Sequence, residues 1–314
     1  MLKYRLIFNP AAGRGTSAQL LPRIERLLTG YGLNFDLART ERPWHAAELA
    51  RGAAQDECDV VVAVGGDGTV NEVLNGLMTI PSSGNKNSRP ALGVLCTGQG
   101  NDFAYGMGIP TDLEAGCTAL ARGYRRTVDV GHVMSSDQPK GRYFGNGIGI
   151  GFDAVVGFLA SKMTRLSGFP AYLVAVLKTV FLYYKAPLSR IEYDDQVITQ
   201  PSLMISIMNG RRMGGGFYMA PTGKPDDGLF DLCIAREVNR LRIFSIIPHF
   251  LRGTQATQKP IRMARARHVI VTALKGVLPA HADGETVCTA AERLEIELLP
   301  SQIEVISSPP EAET

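Results

Sequence analysis

The chain has 314 residues, 45% of them hydrophobic and 20% charged, with a formal net charge of +3. That balance excludes an intrinsically disordered polymer and gives no electrostatic case for nucleic-acid binding, and the length favours two hydrophobic cores over one. The five cysteines (Cys58, Cys96, Cys117, Cys233 and Cys288) are scattered without a C-x-x-C pair, which argues against a disulfide framework or zinc site and for a reducing, cytoplasmic setting.

In chain order, Leu2 to Phe8 predicts a buried strand that begins at once and is interrupted by Asn9-Pro10, so no secretory leader is read there. The glycine turn Asn9-Pro10-Ala11-Ala12-Gly13-Arg14-Gly15 follows, then a helix near 16–29 with Leu20, Leu21, Ile24, Leu27 and Leu28 on its apolar stripe. Strands near 33–38, 59–64 and 91–95 alternate with helices near 43–55, 69–79 and 111–122. Such alternation calls for a parallel sheet covered on both faces. Pro81 to Pro90, rich in Ser, Gly and Asn, predicts a surface connection.

Past Thr127 the pattern changes. Short β-like runs at Thr127–Val133, Tyr143–Ile150, Arg190–Tyr193, Leu203–Met208, Leu229–Ile234, Val269–Thr272, Leu294–Leu298 and Ile303–Ile306 predict an antiparallel, β-rich second domain. The predicted domains are therefore an α/β domain over 1–126 and a β-rich domain over 127–314, with Ser307 to Thr314 as a polar tail. Two apolar segments are candidate helices. Tyr172 to Tyr184 is shorter than a bilayer span and ends in Tyr183, Tyr184 and Lys185, which suit an interface; Leu241 to Leu251 interleaves apolar residues with cations. It lies in a basic block in which Arg236, Arg240, Arg242, Arg252, Lys259, Arg262, Arg265 and Arg267 face the single acid Glu237. Such a block suits anionic headgroups, and a core-packing helix explains the same pattern.

The most informative stretch is Val60 to Asn71, where an apolar β-branched run stops at Gly65-Gly66-Asp67-Gly68 and continues into a helical pattern. Glycines let backbone N–H groups approach an anion, and the helix N-terminus adds a positive dipole at the same point. Asp67 would repel a bare phosphate, so the loop suggests a nucleotide with a divalent cation, or an acid that handles a proton; an N-cap in a plain glycine turn is the other reading. A third strand end, Ala91 to Cys96, runs into Thr97-Gly98-Gln99-Gly100-Asn101-Asp102-Phe103-Ala104. Three glycine loops at strand ends would converge at the carboxyl edge of one parallel sheet.

Together these blocks carry a resemblance. Asn9-Pro10-x-x-Gly13-x-Gly15, Gly65-Gly66-Asp67-Gly68-Thr69-x-Asn71-Glu72 and Gly98-x-Gly100-Asn101-Asp102-Phe103-Ala104, followed by Ala220-Pro221, Asp226-Asp227-Gly228-Leu229 and Asp283-Gly284-Glu285, resemble the diacylglycerol kinase catalytic-domain family, which includes bacterial lipid kinases, sphingosine kinases and ceramide kinases. With Ala220-Pro221 and Asp226-Asp227-Gly228-Leu229 taken as one, five blocks in family order span nearly the whole chain. One departure is Gln99, where the family usually has a nucleotide-contacting threonine.

The resemblance implies a Rossmann-like parallel sheet of the NAD kinase and diacylglycerol kinase type, a C-terminal β-sandwich, and a site in the cleft between them. It implies an ATP-dependent lipid kinase, with Asn9, Gly13, Thr40, Gly65, Gly66, Asp67, Gly68, Thr69, Asn71, Gln99 and Asn101 on the nucleotide. It implies a structural Mg²⁺ held by the Asp227 carboxylate and the backbone oxygens of Lys224 and Leu229; turn chemistry alone also accounts for that loop. A kinase must deprotonate or orient its acceptor hydroxyl, and the resemblance offers Glu285 first and Asp283 second as base, while sphingosine kinases give the role to the residue matching Asp67. Asp-Gly is also the ordinary hairpin signal. The expected partners are a lipid substrate and a peripherally touched membrane. A soluble-substrate kinase of the NAD kinase type shares the Gly-Gly-Asp-Gly loop, but the Asn9-Pro10 and Gly-x-Gly-Asn-Asp-Phe-Ala blocks argue against it. A catalytically silent lipid-binding module is favoured by Gln99 alone.

Overall fold

The computed structural model describes residues 2–81, 89–136, 138–163, 168–182 and 186–309. The chain forms two compact units, Met1–Val128 with Ser301–Thr314, and Asp129–Pro300.

The first unit alternates β1 (Lys3–Phe8), α1 (Thr16–Gly30), β2 (Asn34–Arg39), α2 (His45–Gln55), β3 (Val60–Gly65), α3 (Asp67–Met78), β4 (Ala91–Cys96), α4 (Asp102–Met107) and α5 (Leu113–Arg122). β1 lies between β2 and β3, β3 pairs with β4, and all run parallel. The near-continuous apolar run of β3, buried at every position, is what a strand covered on both faces requires. Leu21, Ile24 and Leu28 of α1 recur at helical spacing and pack with Leu6, Phe8, Val62, Leu95 and Leu120 in one core. Asp112 caps α5 by accepting the Ala115 N–H at 3.0 Å, worth about 1 kcal/mol, and Gly123 closes the helix at φ +64°.

The chain passes into the second unit through β5 (Arg125–Ser135), then forms β6 (Gln138–Phe144), β7 (Gly147–Gly151), α6 (Phe152–Ser161), α7 (Gly168–Leu182), β8 (Leu188–Tyr193) and the long β9 (Gln196–Met208). There follow β10 (Arg212–Met213), β11 (Phe217–Tyr218), β12 (Phe230–Arg236), α8 (Arg240–Arg252), β13 (Ile261–Ala266), β14 (His268–Lys275), β15 (Leu278–Ala282), β16 (Glu285–Ala291) and β17 (Arg293–Ile306). β9 serves two antiparallel layers. Its first half pairs with β8, which continues through β14 to β17; its second half lies between β12 and β7, and β7 leads to β15 and β16. Ile148, Ile150, Ile205, Ile207, Phe230, Leu232, Val269, Val271, Leu294 and Ile296 fill the core of the unit. Alternate residues of β9 and β12, among them Met204, Met208, Cys233 and Ala235, pack instead with the residues of α6, α7 and α8.

This is the α/β plus β-rich architecture the sequence predicts, with corrections. The domain expected to run to residue 314 ends earlier: from Ser301 the chain belongs to the first unit, because Val305 of β17 pairs in parallel with Leu92 of β4. The runs at 294–298 and 303–306 are one strand, with Ser301 at φ +53°. Tyr143–Ile150 is two strands, broken at Gly145-Asn146. β13, β15, β16, α4 and α6 were not legible as elements. Leu241–Leu251 is indeed a helix, with Ile243, Ile246 and Phe250 buried. Most of Pro81–Pro90, the Tyr183-Tyr184-Lys185 end and the last five residues of the tail lie outside the described residues. Among the described residues no helix is long and apolar enough to cross a membrane.

Candidate active site

The three glycine loops meet at the carboxyl ends of β1, β3 and β4, and each junction is set by a side chain that is missing. A Cβ on Gly98 would lie 2.4 Å from the Gly66 Cα, so the second and third loops touch backbone to backbone. Thr97 and Gly98 both donate to the Gly65 carbonyl, at 2.9 and 3.2 Å. Gly13, at φ +58°, seats the first loop against the third, since a Cβ there would lie 2.6 Å from the Thr97 carbonyl oxygen. Ser17 Oγ and Thr97 Oγ1 share a buried hydrogen bond of 2.8 Å at the same junction. Between the first and second loops, Asn9 Nδ2 donates to Thr69 Oγ1 at 3.0 Å, and Gly65 has no room for a Cβ beneath that threonine. Thr40, just past β2, donates its N–H to the Phe8 carbonyl at 2.9 Å and so sits at the same sheet edge.

Asp67 is the carboxylate at this convergence. It opens α3, its Oδ1 accepts the Phe103 N–H at 3.1 Å, and a Cβ on Gly100 would lie 2.7 Å from its Oδ2. The cradle around the acid is therefore open only because residue 100 is glycine. Cys96 lies beside it; burial pushes its thiol up to about 12, with the Asp67 charge adding to the shift. Asn101 holds a left-handed conformation at the N-cap of α4, and Gln99 is exposed. Asn71 is buried in α3, where its side-chain oxygen accepts from Asn75 Nδ2 at 3.2 Å.

In the second unit, Asp283 and Gly284 are the two-residue loop between β15 and β16, at φ +50° and +83°. Positive φ at both positions is the turn Asp-Gly favours in a hairpin. The two acids differ in their surroundings. Asp283 is buried and accepts three backbone N–H groups, from Gly145 at 2.9 Å, Asn146 at 2.9 Å and Gly147 at 3.0 Å. Those bonds break the β6–β7 run at Gly145-Asn146. Glu285 is the first residue of β16, half-exposed, with the buried Arg142 guanidinium 3.8 Å away.

The sequence matches the diacylglycerol kinase catalytic domain family over residues 3–133 and the YegS C-terminal NAD kinase beta sandwich-like domain over residues 146–307. It is 30% identical to a diacylglycerol kinase of Staphylococcus aureus, over 90% of this chain and 85% of that one. The chain belongs to the diacylglycerol kinase family. Its fold is similar to that of a Bacillus anthracis diacylglycerol kinase, with a TM-score of 0.73 at 22% identity, covering 99% of this chain and 98% of that one. An NAD kinase from Archaeoglobus fulgidus, solved in complex with ATP, shares the fold more distantly, with a TM-score of 0.52 at 15% identity over 98% of this chain and 94% of its own.

In the loop expected to hold Mg²⁺, the acid already has partners within the chain. The Asp227 carboxylate pairs with the Arg265 guanidinium through Oδ2 and accepts the Leu229 N–H through Oδ1 at 3.2 Å. Arg265 also lies 3.6 Å from Asp231, whose carboxyl burial pushes above its ordinary range against the pull of that arginine. As arranged, a cation already answers Asp227, and a metal there requires Arg265 to withdraw. Lys224 is exposed. Among the described residues no group of three or more His, Cys, Asp or Glu is set to hold a metal. Sequence reasoning also missed Asp129, which is buried and accepts the Gly228 N–H at 2.8 Å while its own N–H donates to the Pro225 carbonyl at 2.7 Å, pinning the same loop.

The second unit also holds a small apolar cavity of about 70 Å³ between α6, α7, α8 and the outer face of β9 and β12. Val156, Val176, Met204, Phe217, Ile243 and Phe250 are among its walls, and Asp153 and Tyr172 bring polar atoms to it. Arg262 donates to the Tyr193 hydroxyl at 3.2 Å and Arg265 pairs with acids, whereas Arg240 and Arg242 lie on the first turn of α8.

Proposed function

We propose that this kinase transfers the γ-phosphoryl group of ATP to the hydroxyl of a diacylglycerol-like lipid. The observation that carries the reading is the convergence of three glycine loops on Asp67 at the carboxyl edge of a parallel sheet, where open α/β proteins bind ligands. Phosphoryl transfer asks a protein mainly for positioning and for charge stabilisation, and backbone N–H groups at glycine loops supply both. The loops would seat the nucleotide through Asn9, Gly13, Thr40, Gly65, Gly66, Gly68, Thr69, Asn71, Gln99 and Asn101. Asp67 fits a divalent cation held against the phosphates, because its cradle is one a single Cβ at residue 100 would fill. When bound, Mg²⁺ would neutralise charge on the phosphate oxygens. A second Mg²⁺ on Lys224, Asp227 and Leu229 would serve structure, with Arg265 displaced.

For the acceptor side, Glu285 would take the hydroxyl proton. Its partial exposure leaves it accessible, with Arg142 3.8 Å away, whereas the oxygens of Asp283 are committed to three N–H donors. The apolar lining of the cavity supports a lipid over a soluble nucleotide acceptor. Peripheral contact with a membrane is supported at α7 and α8. Leu241 is 80% exposed and Phe181 60% exposed, and the Phe181 ring packs on Phe244 at 5.6 Å, beside Arg240 and Arg242.

Incubation with labelled ATP and a total lipid extract, followed by identification of the product, tests the reading. A phosphorylated lipid alcohol, formed by the wild type and not by Glu285→Gln, is the expected result. Label entering only a soluble dinucleotide would replace the lipid with an acceptor of the NAD kinase type.

A further inference from the structure

A line of polar groups crosses the otherwise apolar outer face of β12, β9, β7 and β15, beneath α6. Cys233 pairs in register with Ser206, Ser206 with Gly149, and Gly149 with His281, so all four share one face. Over Gly149 lies the Asp153 carboxylate from the first turn of α6, facing His281 Nε2 with its Oδ2 at 3.5 Å. Gly149 makes this approach possible, because a Cβ there would lie 2.2 Å from Asp153 Oδ2 and 2.6 Å from His281 Nε2. Asp153 is 2% exposed and His281 3%. Asp153 Oδ2, His281 Nε2 and Ser206 Oγ make no hydrogen bond of good geometry within the chain, and buried polar groups of that kind call for an explanation.

The two ends of this line reach different places. At one end Asp153 Oδ1 accepts from the Tyr172 hydroxyl, and both side chains line the apolar cavity. At the other, His281 Nδ1 accepts the Gly284 N–H at 3.3 Å. That N–H belongs to the second turn residue, whose neighbour in the chain is Glu285. An imidazole that accepts at Nδ1 carries its proton on Nε2, the atom turned toward Asp153.

We propose that His281 is a positioning residue: it sets the direction of Glu285 by holding the Gly284 amide, and Asp153 keeps it in the tautomer that can do so. Occupancy of the cavity at Asp153 and Tyr172 is thereby coupled to the turn that carries the base. The proposal rests on the reading of Glu285 as that base. It predicts that the two amide replacements of His281 differ. In His281→Asn the side-chain oxygen takes the place of Nδ1 and can still accept from Gly284, whereas in His281→Gln the amide reaches toward Asp153 and leaves Gly284 without its acceptor.

The test uses the full chain with ATP and dioctanoylglycerol in mixed micelles. His281→Asn is expected to keep kcat within about threefold of wild type, and His281→Gln to lose at least tenfold in kcat with the KM for ATP within twofold. Equal rates for the two variants, or the reverse order, would overturn the proposal. Nitrogen-15 spectra of histidine-labelled wild-type protein, with His281 assigned by its loss in His281→Asn or by selective contact to Gly284, should show a protonated Nε2 and an unprotonated Nδ1; a proton on Nδ1 overturns the proposal without reference to any variant. Glu285→Gln separates the two readings. Full turnover in that variant removes the base assignment and this role together, while a dead Glu285→Gln beside a fully active His281→Gln removes the role of His281 alone.

Discussion

Substituting Gly98 by alanine tests the loop junction with one added methyl group. Carbon atoms in contact sit about 3.5–4.0 Å apart, and the new Cβ would lie 2.4 Å from the Gly66 Cα and 3.1 Å from its nitrogen. The shortfall is roughly 1 Å, and it falls on backbone. A side chain could rotate away; Gly66 cannot, because it joins β3 to α3, and Thr97 and Gly98 are tied to the neighbouring Gly65 carbonyl. Relief therefore means parting the second and third loops by about 1 Å and weakening two hydrogen bonds worth about 0.5–1.5 kcal/mol each. Overpacking of this kind costs about 1–3 kcal/mol. The functional loss should be larger, since a misplacement of about 1 Å costs about a hundredfold in rate. Denaturant unfolding and ATP titration would measure the two effects. Gly52→Ala is the control: its site on α2 is open, and alanine there should stabilise by about 0.5–1 kcal/mol. If Gly98→Ala binds ATP within threefold of wild type and unfolds at the same denaturant concentration, the loop junction is not the nucleotide seat.

Asp67→Asn keeps the shape of the side chain and its bond to the Phe103 N–H while removing the charge, so turnover should fall at least a hundredfold with an unchanged far-UV spectrum; near-normal turnover removes Asp67 from the chemistry. Asp283→Ala strands three buried N–H groups, and hydrogen bonds to a charged partner are worth about 1.5–3 kcal/mol each, so a loss of roughly 3 kcal/mol or more in unfolding free energy is expected, against less than about 1 kcal/mol for Glu285→Gln. Similar stabilities for the two variants would contradict that division. The Cys96 thiol, pushed up to about 12 by burial, should hold only about one part in ten thousand as thiolate at pH 8 and resist alkylation until the protein unfolds; its sign is that of a raised acid, so reactivity grows only as pH climbs toward that value. Reversing Arg240 and Arg242 to Glu should release the protein from anionic vesicles, as should added salt, each exposed cation contributing roughly 1 kcal/mol near a charged surface; sedimentation unaffected by both would move the membrane contact elsewhere.

The first unit was legible because its information is local. Each glycine loop follows an apolar strand directly in the chain, so Val60 to Gly68 announces both the strand and the turn, and the helical stripe of Leu21, Ile24 and Leu28 needs no partner to be seen. The second unit was less legible for the opposite reason. β15 and β16 are built largely of Ala, His, Thr and Cys, without the β-branched alternation that marks a strand, and they exist because β7 pairs beside them. α6 follows Gly147-Ile148-Gly149-Ile150-Gly151 without a polar break, and its start is fixed by Gly151 at φ +84°. The end of β17 reads as a strand of the second domain until its parallel pairing with β4 is known.

The same distinction separates the acids. Asp283 and Glu285 look equivalent in the sequence, two carboxylates around one glycine, and what tells them apart lies more than 130 positions away in the chain. The N–H groups of Gly145, Asn146 and Gly147 converge on Asp283 and commit both its oxygens, and they do so only because β7 and β15 are neighbours. Glu285, two residues on, emerges from the turn onto a strand edge with a buried arginine beside it and part of its surface open. Asp227 makes the complementary case: the resemblance offers it as a metal ligand, and an arginine from β13, 38 residues later, pairs with its carboxylate. In each of these positions the residue type limits what chemistry is available, and a strand pairing from elsewhere in the chain decides which part of it the side chain can perform.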